Sequence, residues 1–326
     1  MFCREHKPKY LPILCFVSFL SVSQAQNQTL VGCDAVHCPT DHKTSTCPVG
    51  NTTLSYLGIT SFNTSLASLP LTWTLGTQVN HDPSNSSLAS LDRDYFLGTP
   101  PTISNLISTP YHGCALFFDG VSANLSFPNT ARESGSGTCN DALSSSCVTD
   151  LLAQSQSELK TLLGSDSSSE SKICSALQSA LQSKPPTSCT DIQTIHINGW
   201  GNTIARELTG SNAAPFSQKS SDCNATTGEN YNLSLVQNTR TAAAVLSGTL
   251  EKLMFGITPV LTILYDPKNS AGAESHLSCL KVVGTTQGQV TDTDPAAKKS
   301  ESIVGKSVCG WGLGYVLGFW VVYTGF

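Results

Sequence analysis

The sequence predicts an α+β fold: a mixed or antiparallel sheet of N- and C-terminal strands, a helical middle segment, and disulfide staples. Three observations predict it. Apolar residues alternate with polar ones in the first third, recur every three to four residues in the middle, and form branched runs near the end. Ten cysteines lie outside the two apolar extremities. One domain is expected, because the last strands have little to pair with except the first ones.

In chain order, "PLTWTLGTQ" (70–78) sets Leu71, Trp73 and Leu75 against Thr72 and Thr74, the period of a half-buried strand. "CALFF" (114–118) and "SANLSF" (122–127) flank "DGV" and read as two strands around a turn. In "CVTDLLAQSQSELKTLLG" (147–164), Val148, Leu151, Leu152, Ser155, Leu159, Leu162 and Leu163 share one helical face, and Gly164 stops it. "ESKICSALQSALQS" (170–183) repeats the pattern with Ile173, Leu177, Ala180 and Leu181, and Pro185–Pro186 ends it. Across that end Cys174 and Cys189 are neighbours and are expected to pair. "NTRTAAAVLSGTLEKLMF" (238–255) reads as a third helix. "TPVLTILYD" (258–266) and "SHLSCLKVVG" (275–284) are strands, bracketing "PKNSAGAE" as a turn.

The extremities read as addresses. Arg4, Lys7 and Lys9 precede the apolar run "LPILCFVSFLSV" (11–22), and Ser23 and Ala25 are the small residues a signal peptidase requires. Residues 1–25 are therefore expected to be a signal peptide, 26–284 the disulfide-bonded ectodomain and 285–307 a polar stalk. Residues 308–326 form an apolar run with no cation after it. That missing charge favours a GPI signal over a transmembrane helix, which would carry Lys or Arg on its cytoplasmic side. Ser300, in "SES", is the leading attachment candidate, with Ala296 as the alternative. Gly310, Gly314 and Gly318, at four-residue spacing, keep the membrane helix open.

Secretion implies oxidised thiols. The candidates for disulfides are Cys33, Cys38, Cys47, Cys114, Cys139, Cys147, Cys174, Cys189, Cys223 and Cys279, an even set. Asn27, Asn51, Asn63, Asn85, Asn124, Asn224 and Asn232 each begin an N-x-[ST] acceptor. Charged residues are only 13% of the chain, against roughly a quarter in typical soluble domains. Sugar is the expected source of solubility. A net charge of −5 with no basic cluster excludes nucleic acid as a partner.

Catalytic patterns are thin. Cys33, Cys38, His42 and Cys47, with His37 beside them, have thiolate–imidazole spacing suited to zinc, but oxidising conditions favour a disulfide knot. "SGSGT" (134–138) only approximates a serine-hydrolase elbow, and there is no H-E-x-x-H. His112 and His196 are lone histidines. Asp92, Asp94 and Asp119 are the carboxylates a glycosidase would need, at separations the sequence does not give. Trp200, between glycines, reads as core filling ahead of sugar stacking. No motif calls for a cofactor or metal.

"TCPVGNTTLSYLG", "GCALFFDGVSANLSF" and "GTCNDALSSSCVTDLL" resemble a family of cysteine-rich, secreted or GPI-anchored surface glycoproteins of filamentous fungi. The resemblance covers most of the ectodomain and brings no catalytic residues. It implies an extracellular location on the plasma membrane or in the cell wall, with wall polysaccharide as a possible partner. The expectation is a non-enzymatic surface glycoprotein for wall organisation, adhesion or recognition. A carbohydrate-active hydrolase and a module for small hydrophobic ligands are the alternatives. Oligomeric state stays open.

Overall fold

The structure is a computed structural model. It describes residues 30–32, 47–49, 52–65, 67–100, 103, 111–128, 132, 135, 137–164, 172–190, 192, 199–209, 231–244 and 249–284. The signal and anchor segments, Ser300, Cys33, Cys38, Cys223, His37, His42, His196, Asn27, Asn51 and Asn224 lie outside the described residues.

The α+β expectation holds, and the strands are antiparallel throughout. Strands β1 (Leu30–Gly32), β4 (Tyr56–Phe62), β5 (Leu71–Asp82), β6 (Asn85–Thr99), β9 (Asn232–Ala244) and β12 (Val283–Gly284) form one sheet, ordered β1-β9-β6-β5-β4-β12. Strands β7 (His112–Phe118), β8 (Thr203–Glu207), β10 (Thr258–Asp266) and β11 (Asn269–Leu280) form a second, ordered β11-β10-β7-β8. A small hairpin joins β2 (Cys47–Val49) to β3 (Thr52–Leu54). Early and late strands pair in both sheets: β9 lies between β1 and β6 and β12 beside β4 in the first, and β10 lies beside β7 in the second.

Strand alternation explains the layers. Trp73, Leu75, Tyr95 and Leu97 of the first sheet meet Ala115, Phe117, Val260 and Leu264 of the second in one core. The intervening residues Cys114, Leu116, Phe118, Leu261 and Ile263 point the other way, into a core shared with the helices. Strands β7 and β10 are thus buried on both faces, which is why they read as unbroken apolar runs. Two hydrogen bonds tie the sheets across the first core: Trp73 Nε1 donates to Thr262 Oγ1 at 2.9 Å, and the Tyr95 and Thr258 hydroxyls lie 3.1 Å apart.

The helical layer is α1 (Cys139–Leu143), α2 (Ser145–Leu163) and α3 (Ile173–Ser183). Helix α1 starts at a capping box between Thr138 and Asp141. Helix α2 buries Cys147, Leu151, Ser155 and Leu159, and α3 buries Ile173, Cys174, Leu177 and Leu181. Three disulfides join this layer to its surroundings: Cys114–Cys174 holds α3 to β7, Cys139–Cys279 holds α1 to β11, and Cys147–Cys189 holds α2 to the turn after α3. The expected Cys174–Cys189 pair is therefore overturned. The two cysteines sit at opposite ends of α3 and its exit, and each faces a different neighbour.

Helix α3 also closes an open sheet edge. The Gln178 side-chain amide donates to the Thr203 carbonyl at 2.6 Å and accepts from the Ala205 N–H at 3.2 Å. These are the groups flanking Ile204 that an added strand would use, so one glutamine stands in for a peptide unit of a neighbouring strand. Gln182 Nε2 donates likewise to the Gly201 carbonyl at 2.7 Å.

Three further expectations change. Residues 238–244 belong to β9, not to a helix, and among the described residues of that stretch the helix is α4 (Thr249–Met254). Pairing with β6 as far as Leu88↔Ala244 overrides the helix preference of the alanine run. Residues 119–124 form a 3-10 helix in place of a turn and second strand. A Cβ on Gly120 would lie 2.2 Å from the Asn202 backbone nitrogen, so only glycine fits that crossing. The 267–274 turn shrinks to Asp266–Asn269, where the Lys268 N–H donates to Asp266 Oδ1 at 2.8 Å. "DPSN" (82–85) closes the β5–β6 hairpin in the same way, with Ser84 N–H on Asp82 Oδ1 at 2.8 Å.

Candidate functional site: carboxylates on two faces of one strand

Strand β6 carries "LDRDYF" (91–96). Period-two geometry sends Asp92 and Asp94 to the outer face and Arg93 and Tyr95 to the sandwich interior. Pairing places Gln78 and Arg240 on either side of Asp92, and Gly76 and Asn238 on either side of Asp94. The result is a polar ladder across three strands.

Its bonds are saturated at Asp92. Arg240 grips that carboxylate with Nε on Oδ1 and Nη2 on Oδ2, both at 2.6 Å, and Asn80 Nδ2 donates to Oδ2 at 2.9 Å. The contact raises the already high pKa of Arg240. Asp94 is only 4% exposed and accepts from Asn238 Nδ2 at Oδ1. Burial pushes the Asp94 carboxyl above its usual range; the Asn238 hydrogen bond opposes this, and the Asp92 charge adds to it.

That shift carries a stability consequence. A carboxyl raised in the folded state destabilises the fold above its folded pKa, and the penalty fades as pH falls through that value. Asp94→Asn is therefore expected to stabilise the protein at pH 7, with the gain shrinking toward pH 4. Urea midpoints at the two pH values check this, and an equal gain at both would refute the electrostatic origin.

On the inner face, Arg93 Nη1 donates to Asp119 Oδ1 at 2.9 Å and to Ser122 Oγ at 3.1 Å, and Nη2 donates to the Leu253 carbonyl. Arg93 is 3% exposed. Tyr95 beside it is fully enclosed, and burial pushes its hydroxyl up to about 12. The three candidate carboxylates are thus split: Asp92 and Asp94 share the outside, while Asp119 serves a buried cation on the other side of the same strand.

The remaining candidates are placed as follows. His112 opens β7 and stacks on Tyr265 with ring centroids 5.7 Å apart. Trp200 is 0% exposed and packs on Phe118 at 4.5 Å, between Gly199 and Gly201 at φ of +61° and +65°. It fills the core and presents no face to a sugar. Thr138, last residue of "SGSGT", is the α1 cap, and Gly137 packs on the Phe127 ring, so that stretch is a helix start. No group of three or more His, Cys, Asp or Glu able to hold a metal occurs among the described residues. No helix among them is long and apolar enough to cross a membrane.

No protein-family model matches the chain, and no curated protein and no solved structure is significantly similar to it.

Sequence reasoning missed Arg93, Asn238 and Arg240, and a second acidic centre. Glu274 accepts from the Ser65 N–H at 3.0 and 3.2 Å, and His276 Nε2 lies 3.3 Å away. Burial raises the Glu274 carboxyl, but the bonds from Ser65, Thr64 and His276 together lower it below the usual value. The signal for Arg93 was present: an arginine between two outward aspartates on a strand must face inward.

Proposed function

We propose that this chain is a non-enzymatic cell-surface glycoprotein of the secretory pathway, acting in cell-wall organisation, adhesion or recognition. It is held at the outer face of the plasma membrane or in the wall through a GPI anchor attached near Ser300. The reading places it with the cysteine-rich fungal surface proteins its sequence resembles. One observation carries it: the carboxylates that would do hydrolytic chemistry are committed to holding strands. Asp92 has both oxygens occupied, and Asp119 neutralises a buried arginine. The three disulfides of the described body suit an oxidising compartment.

One observation favours the carbohydrate-active alternative. Asp94 is buried and its carboxyl is raised by that burial, with the Arg240-bound Asp92 two residues along the same strand face and so about 6–7 Å away at Cα. That is the asymmetry of an acid and its partner. Retained hydrolysis of wall glucan by wild-type chain and its loss in Asp92→Asn would establish this reading in place of the first.

The acceptor sites make the glycoprotein reading specific. Asn63, Asn85 and Asn124 are exposed, whereas Asn232 is 4% exposed inside β9. Peptide mapping of native protein is expected to find glycans on the first three and none on Asn232. Phosphatidylinositol-specific phospholipase C, applied to cells stripped of wall glucan, is expected to shed the protein. Bare acceptors together with retention on the stripped cells would overturn the proposal.

A further inference from the structure

Where β4 of the first sheet lies against β11 of the second, three contacts run along the seam. At one end the Glu274 carboxylate takes the Ser65 N–H at 3.0 and 3.2 Å, just beyond the end of β4. Next to it the Phe62 and His276 rings lie with centroids 4.9 Å apart. At the far end Gly58 crosses the Lys281 carbonyl so closely that a Cβ would stand 1.9 Å from its oxygen, and there β12 pairs with β4, Val283 on Leu57. Backbone fixes that end, whereas one side chain fixes the first.

Thr60 and Ser278 lie between the two ends. Strand alternation puts Thr60 on the face of Phe62 and Ser278 on the face of His276. Thr60 is 0% exposed and Ser278 1%, and neither hydroxyl has a hydrogen-bond partner among the described residues. Trp73, opposite Thr60 on β5, directs its N–H to Thr262 instead. A buried hydroxyl without a partner is penalised, and the penalty vanishes once water reaches it. The closed seam therefore depends on what holds its ends.

We propose that Glu274 is an acid-released clasp: its carboxylate holds residues 63–65 against β11, and its protonation frees that segment and lets water reach Thr60 and Ser278, with Gly58 and β12 as the hinge. Charge gives the clasp its strength, since hydrogen bonds to an ionised acceptor are roughly twice as strong as neutral ones. Burial raises the Glu274 carboxyl, and the bonds from Ser65, Thr64 and His276 together outweigh it, so the group sits below its usual value. A carboxyl depressed in the closed form contributes stability above the usual glutamate value, and loses it as pH falls through the depressed one. The seam is thus closed at neutral pH and opens below the glutamate range. The groups facing Glu274 are His276 on its own strand, Thr64 and Ser65 from the end of β4, and Leu264 opposite it on β10. From β5, Leu71 and Trp73 face the same core. Helices α1 and α2 meet the other face of β11, through the Cys139–Cys279 bridge and the Ser155–Ser275 hydrogen bond. Among these neighbours His276 is the one that titrates. Its protonation adds attraction to the carboxylate 3.3 Å away, so the release belongs to the carboxyl.

Hydrogen exchange of the full-length chain, read by mass spectrometry and corrected for intrinsic rates, tests this between pH 7 and pH 3. Protection of peptides containing Ser65 is expected to fall about tenfold below the glutamate range, while peptides of β6 and β9 stay protected. Glu274→Gln keeps the shape without the charge, and should show the acid level of protection at every pH. Thr60→Val with Ser278→Ala removes the two orphaned hydroxyls and should keep the segment closed to lower pH. Flat Ser65 protection in wild type, or a Glu274→Gln profile that still follows pH, overturns the clasp. A profile left unmoved by the Thr60→Val and Ser278→Ala pair overturns the opening behind it. Should Glu274→Gln fail to fold, the wild-type profile and the hydroxyl pair decide the matter by the same outcomes.

Discussion

Arg93→Leu is expected to lower the thermal midpoint by about 10 °C. The Arg93 side chain is 4% exposed and that of its partner, Asp119, 18% exposed. Removing one member of a buried pair leaves the other charged and uncompensated, which costs about 3–5 kcal/mol. Here the loss is compounded. Ser122 Oγ and the Leu253 carbonyl lose their donor too, and these belong to the 3-10 helix and to α4, the two segments that close this end of the sandwich. For a body of this size each kcal/mol moves the midpoint by about 2–4 °C. A second variant separates a charge effect from a packing effect. Arg93→Leu with Asp119→Leu removes both charges, and a buried pair replaced by apolar groups of similar size is often near neutral. The double variant is expected to recover at least half of the loss. Thermal denaturation followed by circular dichroism reads both. A single variant within about 2 °C of wild type would mean that Arg93 is not an anchor of the fold.

The same strand shows how far sequence reading reaches. Trp73 and Leu75 on β5 alternate against threonine, and both end in the core between the sheets. Helices α2 and α3 follow the 3.6-residue period because one face of each meets the second sheet. Periodicity reports burial, and it is sound for α2 and α3, where burial is one-sided; β5 is a strand as its alternation predicts but not a half-buried one, because Thr72 and Thr74 on its other face are buried too. Periodicity fails at β9, whose alanines are small enough for either structure; only the long pairing with β6 decides between them. It also fails at 119–124, where Asp119 and Ser122 serve Arg93 across the core rather than any local pattern. Disulfide partners are likewise a property of three-dimensional neighbours, so adjacency along the chain misleads at Cys174 and Cys189. The hairpin ends are legible from their residues, the second as a turn that proves shorter than its composition suggests. "DPSN" and "DPKN" repeat one design, an aspartate accepting from the backbone two residues on with proline between. Of the candidate site, the shared face of Asp92 and Asp94 follows from spacing alone. Their unequal environments do not, because Asn238 and Arg240 arrive from a strand about 150 residues away.

Removing Cys139–Cys279 by paired alanine substitution is expected to destabilise the protein more than removing Cys147–Cys189. The first bridge spans 140 residues and the second 42. Loop-closure entropy makes the longer one worth about 1 kcal/mol more, near 5 against near 4 kcal/mol. The difference narrows slightly when Cys147–Cys189 stays intact, because that bridge shortens the path between Cys139 and Cys279. The four sulfurs sit in comparable burial, from 0 to 7% residue exposure, so the cavity left by alanine is similar in the two cases. The consequences differ in place as well as size. Cys139 begins α1, and Cys279 lies in β11 beside Leu280, which is packed between the two sheets. Without that bridge α1 and the start of α2 are held by apolar packing in the helix–sheet core, Leu143 and Leu151 included, and their amides should exchange first. Loss of Cys147–Cys189 instead frees the turn after α3, leaving α1 clamped. Guanidinium midpoints rank the two variants, and hydrogen exchange locates the loosened segment. Equal exchange in α1 in both variants, with the 147–189 variant the less stable, would show that the long bridge is not what fastens the helical layer to the sheet.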